Sequence, residues 1–481
     1  MRLWLKVNFL QVSIFARLMK LTDDLVDQFN HYINFRESGS ATEQSRGQAR
    51  QRKALLSALV GVFSKLFSVV TTLITIPLTL RYLGDERFGL WMAISSVIAM
   101  LSFADLGIGN GLLNVVSSAS GKDNHHLIKK YISSASIVLC VIATTILLTF
   151  GLLYSRIDWQ SLFHLTTPLA IEEAGPAALV FVVMFALNIP IGIVQRVQAG
   201  LQMGFLTNAW QIMTSISTLG AVLLAVHLQA GLPYLVLAQA GVPVAIGVLN
   251  GVSFFGGRFR HLVPKLACAN IRNGLSIIKV GFLFFILQIV AALIYSSDSF
   301  IIARVLGAQE VPMFTVVDKV FGLVTIVISS SLTPLWPAYS EALARGDVAW
   351  SIQIFKKSIW YSFLLSLILA LLLMFFGQKI INYWLGQPMT IPLGLIIGMS
   401  IWKILESIGS ALAMFLNGAS IVGIQVKVAI ITVILTIILK FQFVERFGVS
   451  GSIYATIICY ALFALIPYFL WRKKIIFMVG Q

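Results

Sequence analysis

Charge is scarce in this chain. Lys, Arg, Asp and Glu make up 11% of its 481 residues, against about a quarter in an ordinary soluble domain. Hydrophobic residues reach 58%, and the mean hydropathy is +0.90, which excludes a soluble globular domain. The three cysteines, Cys140, Cys268 and Cys459, each stand alone in or beside an apolar run, so neither a disulfide framework nor a zinc site is expected. A phosphate loop is missing too, because the nearest string, Ser120-Gly-Lys-Asp123, lacks the required glycines and hydroxyl. ATP hydrolysis within this chain is thereby excluded as a driving force. The longest connecting loops, at 155–175 and 256–274, hold about twenty residues, too few for a soluble catalytic domain. No enzyme activity and no cofactor are expected. The one histidine pair, His125 and His126, lies in a basic loop and reads as solvated, so no metal is expected either.

What the chain has in abundance is apolar runs near the ~20 residues needed to cross a bilayer as a helix. They cover Ala54 to Leu80, Phe88 to Leu113, Tyr131 to Tyr154, Pro176 to Val194, Asn208 to Leu228 and Pro233 to Phe255. Six more cover Leu275 to Tyr295, Val311 to Leu332, Ser358 to Phe376, Ile391 to Phe415, Ile421 to Leu439 and Val449 to Leu470. The fold class is therefore an all-α polytopic membrane protein with about twelve transmembrane helices, in contact with membrane lipids throughout.

The formal net charge of +16 would point to nucleic acid in a soluble protein. Here the positions of the charges matter more, and no nucleic-acid partner is expected. With the N-terminus inside, twenty Lys and Arg residues fall on the cytoplasmic side, from Arg46 to Lys474. Seven fall on the other side: Arg81, Arg87, Arg156, Arg304, Lys379, Lys440 and Arg446. That bias places both termini in the cytoplasm.

Arg81-Tyr-Leu-Gly-Asp85 after the first span is echoed by Arg304-Val-Leu-Gly-Ala308 after the seventh, at an offset of 223 residues. Ser118-Ala-Ser-Gly-Lys-Asp123 is echoed by Ala342-Leu-Ala-Arg-Gly-Asp347. Two six-helix bundles in the same orientation follow, with a cavity expected between them. The expected organisation is an N-terminal extension at 1–53, an N-lobe at 54–255, a basic cytoplasmic connector at 256–274, a C-lobe at 275–474 and a tail at 475–481. Within the extension, Leu3, Trp4, Leu5 and Phe9 interleave with Arg2 and Lys6. That pattern fits an interfacial amphipathic helix, or a dispensable leader whose presence in the mature protein is open.

An ionisable side chain at bilayer depth costs roughly 2.5–3.5 kcal/mol, so the charges inside the spans are informative. Lys65 lies near the middle of the first span, and its counterpart at the repeat offset is Gln288 in the seventh. Asp105 stands in Phe103-Ala-Asp-Leu-Gly-Ile-Gly-Asn-Gly111, near Asn114, where it either holds a bend or meets substrate. Asp318 and Lys319 are adjacent and point about 100° apart, so they do not simply neutralise each other. Lys403 and Glu406 are three residues apart on one helix face and suit an internal ion pair. Lys65, Lys319 and Lys403, with Gln288 and Asn114, are the expected cavity residues for an anionic head group. Each lysine could instead be a structural partner of Asp105, Asp318 or Glu406.

At Gly61-Val-Phe-Ser-Lys65, Ile76-Pro77, Tyr82-Leu-Gly-Asp-Glu-Arg-Phe-Gly-Leu-Trp91, Asp105-Leu-Gly-Ile-Gly109 and Asn114, the chain resembles the O-antigen and polysaccharide flippases of the multidrug/oligosaccharidyl-lipid/polysaccharide (MOP) exporter superfamily. The resemblance covers 54–474 and is strongest over the first three helices. It implies a V-shaped, MATE-like transporter that flips undecaprenyl-pyrophosphate-linked oligosaccharide from the cytoplasmic to the periplasmic leaflet of a bacterial inner membrane by alternating access. It further implies a cationic cavity, to which Lys65, Lys319 and Lys403 are carried over by depth and charge and not by motif. Asp105, Asp318 and Glu406 are the acidic residues available for coupling or gating with a proton or sodium ion, and polysaccharide polymerase machinery is the implied protein partner. The rival within the superfamily is a cation-coupled multidrug antiporter, which a lysine in the first span disfavours.

Overall fold

The computed structural model describes residues 43–101, 104–163, 165–386 and 388–470. The amphipathic pattern at the N-terminus and the basic residues Arg472, Lys473 and Lys474 lie outside the described residues. Among the described residues the elements are helices joined by short turns. Eleven helices are long and apolar enough to cross a membrane among those residues. The helices divide into two compact units, one up to Ile278 and the other from Lys279.

In the N-terminal unit, α1 (Glu43–Leu101) runs through the first expected span and bends at Gly84, whose φ of 74° suits a residue without a Cβ. The second expected span, Phe88 to Leu113, is not one continuous helix. After α1 ends at Leu101 a turn at 104–107 intervenes before α2 (Ile108–Gly121). The cause is local, because Leu106 and Gly107 both take left-handed backbone conformations, at φ 50° and 71°. Neither half alone is long enough to be counted with the eleven. Then follow α3 (His125–Tyr154), the short α4 (Trp159–Phe163), α5 (Pro168–Ile191), α6 (Ile193–Gly200) and α7 (Gly204–His227). The sixth span is α8 (Leu232–Val236), a π-helical turn at Leu237–Gly241, and α9 (Val242–Gly256).

The C-terminal unit repeats this pattern with α10 (Ile271–Leu306), which begins before the division, α11 (Val311–Leu332), α12 (Leu335–Ala344) and α13 (Val348–Leu385). It closes with α14 (Leu393–Gly418), α15 (Val422–Phe447), α16 (Ser450–Cys459), a π-helical turn at Tyr460–Leu465 and α17 (Ile466–Leu470). Backbone irregularities recur at the offset of the sequence echo. Gly84 is matched by Gly307 and Asp123 by Gly346, all at positive φ, and the two π-helical turns occupy equivalent places in the sixth and twelfth spans.

The expected loop at 256–274 is strapped down. Ser134 on α3 accepts from the Asn270 amide at 3.0 Å and donates to its carbonyl at 3.2 Å, and Ser133 accepts from the Lys265 amide at 3.1 Å. Phe259 stacks on Phe254 with ring centroids 4.5 Å apart, and Leu262 is buried. Lipid offers no hydrophobic drive for helices to associate, so close approach at small residues carries much of the packing. The tightest approach to a backbone atom in the C-terminal unit is at Gly451 on α16, where a Cβ would lie 2.0 Å from the Phe443 carbonyl oxygen of α15.

Candidate functional site

The longest string of the resemblance, Tyr82 to Trp91, is a fastening corner of the N-terminal unit. The Tyr82 hydroxyl donates to the Ala230 carbonyl at 2.8 Å. Arg87 reaches Glu173 at 3.4 Å, and Glu173 accepts from the Leu232 amide at the start of α8 at 3.1 Å. Glu86 accepts from the Thr166 and Thr167 amides and the Thr166 hydroxyl, just ahead of α5. The Thr166 amide, followed by the Thr167 hydroxyl and the remaining Thr166 and Thr167 contacts, holds the Glu86 carboxyl at about 2 against an ordinary 4.5. Leu90 and Trp91 are buried in the core behind.

Asp105 lies two residues ahead of Gly107, the N-cap of α2. Its carboxylate accepts from the Gly107 amide at 2.9 Å and the Gly109 amide at 3.3 Å, satisfying donors that a helix start leaves open. Arg196 on α6 lies alongside and donates to Asn110 at 2.9 Å. Asn114 is buried on the same helix. Nearby, Gln198 and Asn250 exchange side-chain hydrogen bonds at 2.6 and 3.3 Å, joined by Thr207 at 3.2 Å. Lys65 is exposed on α1, one face with Ser68 and Thr72, whose hydroxyl bonds back to the Ser68 carbonyl. His125 packs edge-on against His261, and no group of three or more potential metal ligands occurs among the described residues.

The C-terminal unit contains a denser constellation. Lys403 and Glu406, both buried on α14, are paired at 3.0 Å. Thr325 of α11 closes the triangle, accepting from Lys403 at 3.1 Å and donating to Glu406 at 3.0 Å. Lys440 of α15 is wholly buried and pairs with Asp298 of α10 at 2.7 Å. Ser452 of α16 also donates to Asp298. Asp318 on α11 is half-buried within electrostatic reach of Lys403, Asp298, Glu406 and Lys440, and makes no hydrogen bond or ion pair with a described residue. Lys319 beside it, about 100° round the helix, is exposed, and Gln288 on α10 is half-buried.

Of the residues singled out in the sequence, the fold thus brings Asp318, Lys403 and Glu406 together. The sequence reading places Lys440 on the outer side and does not include Asp298 among the site residues, but α15 runs on to Phe447 and Lys440 is an internal charge. Both residues sit just beyond the apolar windows that end at Tyr295 and Leu439, and their signal in the sequence is the polar string Ser296-Ser-Asp-Ser299 together with a lone lysine.

The family model for "Polysaccharide biosynthesis protein" matches residues 52–343, more than half of the chain. A candidate O-antigen export protein of Yersinia pseudotuberculosis is 23% identical over 371 residues, covering 73% of this chain and 80% of the relative. A candidate O-antigen transporter of Salmonella typhi is 23% identical over 444 residues, covering 87% and 96%. Among solved structures, a MOP superfamily transporter from Pyrococcus furiosus superposes with a TM-score of 0.76 at 13% identity, covering 90% of this chain and 97% of that one. A multidrug resistance MATE family transporter in its outward-facing conformation gives 0.76 at 16% identity, covering 89% and 96%. At those identities the likeness is one of fold.

Proposed function

Because the chain belongs to the polysaccharide biosynthesis protein family, we propose that it serves O-antigen or exopolysaccharide export as a flippase. The substrate of this reading is undecaprenyl-pyrophosphate-linked oligosaccharide, moved from the cytoplasmic to the periplasmic leaflet of the inner membrane by alternating access. Both termini are cytoplasmic, and polymerase machinery receives the product. The observation that carries it is chemical. Lys65 and Lys319 stand exposed on membrane-length, largely apolar helices, where an ammonium is costly at bilayer depth and favours a place that an anion or water can reach. A pyrophosphate is such an anion. Lys403 is engaged by Glu406 and Thr325 in this conformation, so it enters by changing partners and not by waiting for substrate. Gln288 and Asn114 supply neutral polar contacts.

Coupling to a proton or sodium gradient falls to Asp318 in this reading, with Glu406 as its neighbour and Asp105 in the other unit. Asp318 is supported by its half-buried place between two closed ion pairs. The test is deletion of the gene in its host, complemented by wild type, Lys65→Ala or Lys319→Ala at matched membrane levels. Lipid-linked oligosaccharide is then assayed on each leaflet together with surface glycan. The expected result is cytoplasmic-leaflet accumulation in the deletion and in both variants. Unchanged surface glycan in the deletion overturns the flippase reading.

A further inference from the structure

The Lys440 ammonium is wholly buried, and its three N–H donors meet three oxygens of different kinds. They are the Ile294 carbonyl at 3.0 Å, the Ser297 hydroxyl at 3.1 Å and the Asp298 carboxylate at 2.7 Å, all from one turn of α10. The Ser297 hydroxyl itself donates to the Ile294 carbonyl, and Ser452 donates to the same Asp298 oxygen. A carbonyl, a hydroxyl and a carboxylate converging on one point form the ligand set that hard cations take. Here a tethered monovalent cation already sits in it.

The first helix of the N-terminal unit is built without such a charge pair. At the repeat offset Asp298 corresponds to Thr75 on α1, a buried hydroxyl that bonds back to the Thr72 carbonyl of its own helix at 3.3 Å. One unit therefore builds the same helix with an uncharged residue, whereas the other carries a carboxylate and encloses a lysine to balance it. Such a pair is expensive to bury and weakly stabilising against an apolar replacement.

We infer that the Lys440 ammonium is a resident cation in an oxygen-lined site of the C-terminal unit, occupying a place otherwise suited to a small monovalent ion. The intact protein takes no external alkali ion there. Shortening residue 440 empties the place and turns it into a site for sodium or methylammonium, with Asp298 as the charged ligand.

The experiment measures thermal unfolding of the full chain in detergent, in sodium, methylammonium or choline chloride at equal ionic strength. Wild type is expected to melt at the same temperature in all three. Lys440→Ala is expected to melt on the order of 10 °C lower in choline, with a saturable recovery in sodium or methylammonium. Lys440→Ala with Asp298→Asn, which removes the orphaned carboxylate, is expected to fold and to lose that recovery. A saturable sodium effect on wild type that Asp298→Asn abolishes overturns the inference, because the lysine would then share the site with a mobile ion. So does a Lys440→Ala protein that fails to fold, or melts equally, in every salt while the double variant folds.

Discussion

Thr325 on α11 and Glu406 on α14 are joined by a 3.0 Å hydrogen bond, with the Lys403 ammonium bound to both. A neutral hydroxyl thereby spans an ion pair that a single helix could have made alone, tying two helices through one charge-balanced triangle. Removing one partner leaves a buried charge, so Glu406→Gln or Lys403→Met is expected to cost about 3–5 kcal/mol. The joint Lys403→Met, Glu406→Leu variant is expected to recover most of that loss. Chemical denaturation in detergent of the two singles and the double checks the cycle; additive losses contradict it.

Asp105 holds the turn into α2 through the Gly107 and Gly109 amides. Asp105→Ala is expected to lose about 1 kcal/mol, whereas Asp105→Asn keeps an acceptor and most of the stability. Measuring surface glycan on the same variants separates the roles. Export retained by Asn and reduced by Ala marks a purely structural role, and export lost in a stable Asn variant marks a carboxylate that takes part in coupling.

Glu86 gives a pH signature outside the membrane segments. Its folded carboxyl is held at about 2, below an ordinary 4.5, so its contribution is complete above about pH 4.5 and disappears as the pH falls toward 2. The melting temperatures of wild type and Glu86→Gln are expected to differ at pH 6 and to converge over that window. A gap that stays constant from pH 6 to pH 3 contradicts the assignment.

At Gly451 a methyl group would lie 2.0 Å from a backbone oxygen of α15, which no side-chain rotation relieves. Gly451→Ala is expected to destabilise the C-terminal unit on the order of 3 kcal/mol. Gly423→Ala, on an open face of α15, is expected to be neutral or to gain up to ~1 kcal/mol in helix propensity. Thermal melts of the pair in one detergent make the comparison.

Much of this protein is legible in one dimension. The apolar runs announce membrane helices because a bilayer has a set thickness and the backbone must satisfy itself within it. The string from Tyr82 to Trp91 marks the family, and the Lys403 and Glu406 pairing is visible because three residues make nearly one turn. Two short echoes point to a duplication, and positive-φ residues and π-helical turns recur at the same offset. Tertiary structure alone decided the rest. Asp298 and Lys440 lie on helices far apart in the chain, each just past an apolar window, and only the packing of α10 against α15 and α16 turns two apparent loop charges into an enclosed pair. Thr325 and Glu86 act the same way: a hydroxyl or carboxylate has no assigned partner until the fold delivers one within 3 Å or so, since hydrogen bonding is a property of distance and direction that no composition or spacing contains.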